Sequence, residues 1–238
     1  MHMPHEFSPD LLVQGFTPPL RLDAFKLIAF DMDSTLINIE CIDEVADAAG
    51  RKAEVSAITE AAMRGEITDF KDSLRRRVQL LQGVPETALS EVFEHRLRLN
   101  PGAKHLIDTC KAHGMNVLLV SGGFTFFADR VCSLLNIDFA RSNVLEIMDG
   151  HLTGKLVDQA WGDICDGAEK RKMLLQTCTQ LGIDPQQAIA MGDGANDLLM
   201  MGAAGLSVAY QAKPKVREQA MVAINAGGLD RLLEVVQA

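Results

Sequence analysis

The chain has 238 residues and 47% of them are hydrophobic, which suffices to bury one large domain or a core domain with an insertion. Its formal net charge is −9, so it lacks the basic surface that binding to nucleic acid or to an anionic membrane requires. We therefore expect no nucleic acid and no membrane as partner, whereas an anionic small-molecule substrate would need a local cation to receive it. The sequence leaves monomer and homodimer open.

The cysteines and the amino terminus indicate the cellular compartment of the protein. Five cysteines are widely spread and form no Cys-x-x-Cys pair: Cys41, Cys110, Cys132, Cys165 and Cys178. Such a set is typical of reduced thiols. The first ten residues, MHMPHEFSPD, are polar and show no signal-peptide pattern. A cytoplasmic location is therefore expected.

The first hundred residues divide into three segments. Residues 1–24 contain Pro18-Pro19 and are expected to form a loosely ordered lead-in, too short for a regulatory domain. The run FKLIAF that follows is predicted as a strand buried on both faces. Residues 41–99 show hydrophobic residues at helical spacing, which predicts a block of helices. The block is punctuated by predicted stops at Gly50, Gly65 and Gly83 and by predicted starts at Thr68 and at residues 85–86.

After residue 100, helices and strands alternate. The predicted helices are 103–113, 124–135, 168–181 and 196–203, and the predicted strands are NVLLV, AIAM, LSVAY and MVAIN. Between the second and third helix, Asp149-Gly150 predicts the turn of a small β-hairpin. Alternation of this kind indicates an α/β fold with a parallel sheet covered by helices on both faces.

Polar residues follow three of these strands. LIAF leads into Asp31, VLLV into Ser121-Gly122-Gly123, and AIAM into the segment GDGAND. Since the carboxyl ends of parallel strands form one edge of a sheet, the three segments are predicted to form one site. Its carboxylates would be Asp31, Asp33, Asp193 and Asp197, a set of hard oxygen ligands that suits Mg²⁺. A calcium loop does not fit, because leucine stands where that loop requires glycine.

The same edge offers a place for a phosphate group. Ser121 supplies a hydroxyl, and the two glycines after it allow the close approach of backbone N–H groups at a strand-to-helix turn. A cation is needed beside the carboxylates and a phosphate dianion. Lys170, Arg171 and Lys172 are the candidates, and their spacing does not choose among them.

The motifs DMDST, SGG, a lysine at a helix start and GDGAND, in this order, resemble the haloacid dehalogenase superfamily. Longer segments such as DMDSTLINIECIDEVADAAG and AKPKVREQA extend the likeness over roughly residues 25–225, to the members of that superfamily that act on free phosphoserine. The resemblance implies a Rossmann-like three-layer core, residues 25–40 and 100–238, with a helical cap, residues 41–99, inserted after the first strand.

The resemblance also implies roles for the carboxylates. Asp31 would be the nucleophile that forms an aspartyl-phosphate. Asp33 would protonate the leaving group and then activate water. Mg²⁺ would be bound by Asp31, the backbone carbonyl of Asp33 and Asp193. Asp197 would support the ion without binding it directly. The expected reaction is hydrolysis of phosphoserine to serine and phosphate, the last step of serine biosynthesis.

The remaining roles concern the substrate. The resemblance assigns the phosphoryl oxygens to Ser121, the Gly122 N–H, Lys170 and Asn196, and it thereby selects Lys170 among the three cations. It assigns the substrate ammonium to Glu40 and the substrate carboxylate to Arg77. Free phosphoserine is a phosphate on a zwitterion, so its recognition requires one anion and one cation suited to a carboxylate.

Two alternatives remain open on the sequence. The chemistry could act on another small phosphorylated amine or alcohol, or pass the phosphoryl group to an alcohol. A phosphorelay receiver also uses an aspartate, a metal, a hydroxyl and a lysine, but it places its acidic residues differently along the chain.

Overall fold

The computed structural model of the chain describes residues 4–63 and 69–237. The strands are β1 His5–Ser8, β2 Leu11–Val13, β3 Leu20–Arg21, β4 Leu27–Phe30, β5 Asn116–Phe124, β6 Phe139–Met148, β7 His151–Val157, β8 Ala188–Gly192, β9 Leu206–Tyr210, β10 Val222–Ile224 and β11 Val236–Gln237. The α-helices are α1 Cys41–Ala48, α2 Lys52–Met63, α3 Phe70–Gln79, α4 Thr87–His95, α5 Ala103–Ala112, α6 Thr125–Leu135, α7 Gly167–Leu181, α8 Leu198–Met201 and α9 Pro214–Gln219. Within these ranges, no helix has both the length and the hydropathy that a membrane crossing requires.

In the described part of the chain, the main sheet contains nine strands in the order β1-β2-β10-β9-β8-β4-β5-β6-β7. The strands from β10 to β6 pair in parallel, and β2 and β7 pair antiparallel with their inner neighbours. The chain adds β5 and β6 on one side of β4 and then returns to add β8, β9 and β10 on the other. β4 therefore lies at the switch in strand order, where open α/β sheets form a ligand crevice.

Helices cover both faces of the sheet because its central strands are buried on both faces. In β4, Ile28 and Phe30 belong to a hydrophobic cluster that includes residues of α5 and α6. Leu27 and Ala29 belong to a second cluster with residues of α7, α8 and α9. All four side chains are fully buried, as a parallel strand between two helical layers requires. The predicted three-layer α/β fold is confirmed.

The helices α1 to α4 lie between β4 and β5, within the segment 41–99 that the sequence predicts as a helical cap. Gly50 follows α1 with a φ of +70°, a left-handed conformation that ends helices. α4 begins directly after the predicted start at residues 85–86. The predicted start at Thr68 and the predicted stop at Gly65 lie outside the described residues. The division of the chain into a core and a cap stays a prediction.

The prediction of a loosely ordered lead-in over residues 1–24 is wrong for residues 4–24. β1 and β2 form a hairpin, and β2 extends the main sheet by pairing antiparallel with β10. Leu11 and Val13 are buried in this position. Farther along, β3 pairs with the carboxyl-terminal β11. Strands of two to four residues are too short to show a readable alternation, so the sequence pattern does not reveal them.

Of two further predictions, the structure confirms one, the β-hairpin, and corrects the other, the turn at residues 121–123. The hairpin of β6 and β7 is confirmed, and both residues of its turn, Asp149 and Gly150, have positive φ. The triplet Ser121-Gly122-Gly123, predicted at a strand-to-helix turn, instead belongs to β5, which continues to Phe124. The pairing of β5 with β6 is interrupted there, so the triplet is extended backbone outside the regular ladder.

Candidate active site

Three strand ends come together around β4, as the sequence predicts. β4 pairs in register with β5 on one side and with β8 on the other. Asp31, Ser121 and Asp193, which lie at or just past the ends of these pairings, therefore share one edge of the sheet. The Asp31 N–H donates to the Met191 carbonyl over 2.9 Å, which ties the loop after β4 to β8.

A buried ammonium group lies at the centre of this edge. Lys170 Nζ is 2.7 Å from Asp31 Oδ1 and 2.7 Å from Asp197 Oδ1, and the lysine side chain is fully buried. Burial lowers the pKa of Lys170, but the attraction of the two carboxylates outweighs it and raises the pKa above its usual value. Arg171 and Lys172 are exposed. Burial therefore selects Lys170 among the three candidate cations.

Asp31, Asp193 and Asp197 form a carboxylate cluster. One oxygen from each lies within 4.8 Å of the others. Burial, followed by the charge of Asp197, raises the pKa of Asp193 to about 7. The same two causes raise the pKa of Asp31, and Lys170 acts against them. The carboxylates therefore disfavour one another's ionisation, and Lys170 offsets only part of this effect.

Asp197 is held through both of its carboxylate oxygens. Oδ1 contacts Lys170, and Oδ2 accepts a hydrogen bond of 3.0 Å from the Gly194 N–H. A Cβ at Gly192 would overlap this carboxylate, so the end of β8 must be glycine for Asp197 to pack beneath it. Asp193 has a weaker contact, 3.5 Å from the Thr35 hydroxyl.

Asp33 lies in different surroundings from Asp31. Its Oδ2 accepts a hydrogen bond of 3.2 Å from the Cys41 N–H, and its buried Oδ1 has no hydrogen-bond partner among the described residues. Burial, and then the negative charge of Glu40, raises the pKa of Asp33 to about 7. A carboxyl group that titrates near neutrality can both donate and accept a proton in a reaction.

The segment 121–123 brings a buried hydroxyl beside Asp33. The Gly123 N–H donates to Ser121 Oγ over 2.8 Å, and Ser121 is fully buried. A Cβ at Gly123 would lie 3.0 Å from Ser121 Oγ and 3.2 Å from Asp33 Oδ2. The backbone thus passes close to both side chains. In its bond with Gly123, Ser121 acts as the acceptor, so its own hydroxyl hydrogen is available for donation to another group.

Glu40 and Arg77 come from the helical segment and the loop before it. The Ser34 hydroxyl donates to Glu40 Oε1 over 2.6 Å. Arg77 is half-buried in α3, and burial lowers its pKa while the charges of Asp43, Glu40 and Asp33 act to raise it. A guanidinium group and two carboxylates of the predicted site, those of Asp33 and Glu40, are therefore close enough to interact electrostatically.

The family model of the haloacid dehalogenase-like hydrolases matches residues 25–205, well over half of the chain. The chain belongs to the haloacid dehalogenase-like hydrolases. The matched region contains β4, β5 and β8, the strands from which the site is built. Membership confirms the resemblance that the motifs carry, and it excludes the alternative of a phosphorelay receiver.

Several members of the haloacid dehalogenase-like hydrolases are similar to the whole chain. A phosphoserine phosphatase of Polaromonas sp. (strain JS666 / ATCC BAA-500) is 73% identical over 98% of this chain and 99% of its own length. A phosphoserine phosphatase of Albidiferax ferrireducens is 68% identical over 100% of both chains. A solved structure, the phospho-aspartyl intermediate analogue of a phosphoserine phosphatase, has a TM-score of 0.82 at 38% identity, over 90% of this chain and 99% of that one.

Haloacid dehalogenase-like phosphatases generally use Mg²⁺, and the carboxylate cluster of this hydrolase fits such an ion. Asp31 and Asp193 offer hard oxygen ligands within one small volume. Burial and the charge of Asp197 raise the pKa of Asp193 to about 7, and a bound cation would favour its ionised form. The third predicted ligand, the backbone carbonyl of Asp33, and the identity of the ion stay predictions.

Asn196 lies in the turn between Asp193 and Asp197 and is half-buried. A Cβ at Gly167 would come within 2.8 Å of the Asn196 carbonyl, so this turn packs closely on the start of α7, the helix that carries Lys170. The predicted contact of Asn196 with a phosphoryl oxygen stays a prediction.

Three further residues, which were not predicted from the sequence, hold this edge together. Thr35 contacts Asp193 and Ser34 holds Glu40, although both belong to the DMDST motif. Asn143 in β6 is buried and bonded to the Gly122 carbonyl. The sequence does contain a signal for Asn143: asparagine is disfavoured inside strands, so its presence in one indicates a specific contact.

Proposed function

We propose that the chain hydrolyses free O-phosphoserine to serine and phosphate through an aspartyl-phosphate on Asp31. The observation that carries the proposal is the buried Lys170 ammonium, 2.7 Å from Asp31 Oδ1. Such a cation favours the ionised form of the nucleophilic carboxylate and can also bind the oxygens of a phosphoryl group. Similarity over the full chain to phosphoserine phosphatases supports the choice of substrate.

The two aspartates divide the chemistry. Asp31 Oδ1 is held by Lys170 and by the Met32 N–H at 2.8 Å, which leaves Oδ2 to attack phosphorus. Asp33, whose pKa is about 7, donates its proton to the seryl oxygen as the ester bond to phosphorus breaks. It then takes a proton from the water that attacks the acyl-phosphate, and Asp31 is released as a carboxylate.

The transferring group is held by donors from three segments. We assign its oxygens to the Ser121 hydroxyl, the Gly122 N–H, Lys170 and Asn196. When bound by Asp31, Asp193 and the Asp33 carbonyl, Mg²⁺ supplies charge neutralisation for the phosphoryl group. Asp197 orients Lys170 through their contact of 2.7 Å.

Recognition of the serine part rests on Glu40 and Arg77. The carboxylate of Glu40 accepts the substrate ammonium, and the guanidinium of Arg77 binds the substrate carboxylate. The proposed reaction supplies free serine and would close a biosynthetic route to that amino acid. We place it in a reducing compartment such as the cytoplasm, in keeping with five unpaired cysteines.

A Mg²⁺-dependent assay of phosphate release over a panel of small phosphomonoesters tests the proposal. Phosphoserine is expected to be the best substrate, ahead of phosphothreonine, phosphoethanolamine and glycerol phosphate. Removal of divalent cations and the Asp31→Asn substitution should each abolish release. Undiminished release by Asp31→Asn would remove the nucleophile assignment, and a clear preference for another ester would replace the substrate.

A further inference from the structure

A buried asparagine links two parts of the site that lie far apart in the sequence. Asn143 in β6 is 1% exposed. Its Nδ2 donates to the Gly122 carbonyl over 2.7 Å, and its Oδ1 accepts from the Cys165 N–H over 2.8 Å. Only one orientation of the amide satisfies both partners, because one is an acceptor and the other a donor. Each half of the amide therefore has a fixed task.

The first bond fixes the orientation of the Ser121 hydroxyl. The Gly122 carbonyl and the Gly123 N–H belong to the same planar peptide group. That N–H donates to Ser121 Oγ over 2.8 Å. Because Asn143 holds one end of the peptide plane, the other end stays aimed at the serine oxygen. The hydroxyl hydrogen of Ser121 is then left for a phosphoryl oxygen.

The second bond fixes the start of the helix that carries Lys170. Cys165 directly precedes Asp166, whose carboxylate caps α7 by accepting from the Glu169 N–H over 2.9 Å. The carbonyl of the same aspartate accepts from the Lys170 N–H over 2.8 Å. Asn143 therefore anchors the chain at the residue before the turn that delivers the lysine.

We propose that Asn143 is a positioning residue for phosphoryl binding, which sets the Ser121 and Gly122 donors at the correct distance from the Lys170 ammonium. It does not touch the substrate, and it acts through the two hydrogen bonds of its amide. The inference rests on the proposed function, because it takes the donors around Asp31 to hold a phosphoryl group.

Two substitutions test this role, Asn143→Asp and Asn143→Ser. The aspartate keeps the size and the acceptor for Cys165, but when ionised it turns a second acceptor toward the Gly122 carbonyl and adds a negative charge. The serine is too short for both bonds. Ser142→Ala is the matched control, since Ser142 is a buried neighbour on β6 whose side chain points to the opposite face of the sheet. The readouts are the inhibition constants of inorganic phosphate and of serine, kcat, and the melting temperature.

For Asn143→Asp, the inhibition constant of phosphate is expected to rise about tenfold or more, because one buried hydrogen bond is lost and a negative charge is added near the anion. The inhibition constant of serine should stay within about twofold, because the residues proposed to bind serine, Glu40 and Arg77, do not take part in the hydrogen bonds of Asn143. Asn143→Ser should show the same split, and Ser142→Ala should match the unmodified chain.

An unchanged inhibition constant for phosphate in both variants would overturn the inference. So would equal rises for phosphate and serine that follow the loss of melting temperature, because a purely structural role predicts them. If the unmodified chain hydrolyses p-nitrophenyl phosphate but not phosphoserine, the proposed substrate alone is refuted. The inhibition constant of phosphate is then measured against p-nitrophenyl phosphate, and Asn143 is tested as before.

Discussion

At the scale of single residues, Asp31 and Asp33 can lie one residue apart despite their like charges because their surroundings differ. Asp31 contacts the Lys170 ammonium, which offsets part of the cost of burying its charge. Asp33 instead lies near Glu40, and its pKa of about 7 allows it to hold a proton at neutral pH. This difference suits the roles that we propose for two carboxylates one residue apart, a nucleophile and a proton donor.

Arg77→Ala is expected to raise KM for phosphoserine about 10- to 100-fold, because the substrate carboxylate loses a charged hydrogen-bond partner. A substrate that has no carboxylate, phosphoethanolamine, should keep its kcat/KM within about threefold. Steady-state kinetics on the two substrates measures the difference.

The matched control is Arg76→Ala on the same helix. Arg76 is exposed and pairs with Asp72 over 2.8 Å within α3, so its loss should leave both substrates unaffected. If Arg77→Ala impaired phosphoserine and phosphoethanolamine equally, Arg77 would not be the site of the substrate carboxylate.

At the scale of elements, a charged cluster joins α3 to the segment before α7. Lys71 Nζ lies 2.8 Å from Asp163 Oδ1 and 3.7 Å from Asp166 Oδ2, and Arg75 also pairs with Asp163. The same helix carries Arg77 two residues farther on. The cluster therefore helps to set the position of the predicted substrate arginine relative to the sheet edge.

Asp163→Asn should lower kcat/KM for phosphoserine about threefold, since it weakens two half-exposed ion pairs worth roughly 0.2–1 kcal/mol each. The difference in kcat/KM between the variant and the unmodified chain should shrink in 0.5 M salt, because salt screens the ion pairs that only the unmodified chain has. Asp72→Asn, which breaks a pair confined to α3, is the control and should have no effect. A deficit that persists unchanged in high salt would argue against an electrostatic origin.

Prediction of elements from the sequence depends on their length and pattern. The helices α5, α6 and α7 and the strand β4 have long or uniformly apolar segments, and their predicted positions agree with the structure. β1 and β2 have three or four residues each. β2 joins the sheet by pairing with β10, which is more than 200 residues away in the sequence, and β1 joins it through β2. Tertiary pairing of that kind leaves no local signal.

The site shows the same limit. Asp31, Ser121 and Asp193 could be predicted together because each lies at or next to a predicted strand end. The choice of Lys170 over its two neighbours needed either the family resemblance or the observed burial. The two hydrogen bonds of Asn143 depend on the spatial neighbourhood of β6, which spacing along the chain does not contain.

At the scale of the whole molecule, the strand order concentrates negative charge at one point. The switch beside β4 gathers acidic side chains from two separate motifs, and their burial is unfavourable without a cation. Asp193 has a pKa of about 7 when folded, against a usual value near 3.9. Between these values the folded state holds a proton that the unfolded state has released, so this group makes the metal-free protein less stable as pH rises.

Stabilisation by Mg²⁺ should accordingly be greater at pH 8 than at pH 6. At pH 6 the ion must displace a proton from Asp193, which weakens its binding about tenfold and reduces the stabilisation by about 1.4 kcal/mol. Melting temperatures with and without Mg²⁺ at the two pH values measure this, with Asp193→Asn as the control in which the pH dependence should be smaller. Equal shifts at pH 6 and pH 8 would show that Asp193 does not bind the ion.

The proposed mechanism requires that Asp31 carries the phosphoryl group during turnover. Rapid acid quench of the protein with ³²P-labelled phosphoserine and Mg²⁺ tests it directly. We predict a label that stays on the protein, is released by hydroxylamine as an acyl-phosphate should be, maps to the peptide that contains Asp31, and is absent from Asp31→Asn. Turnover without any protein-bound label, or a label retained in Asp31→Asn, would contradict the account.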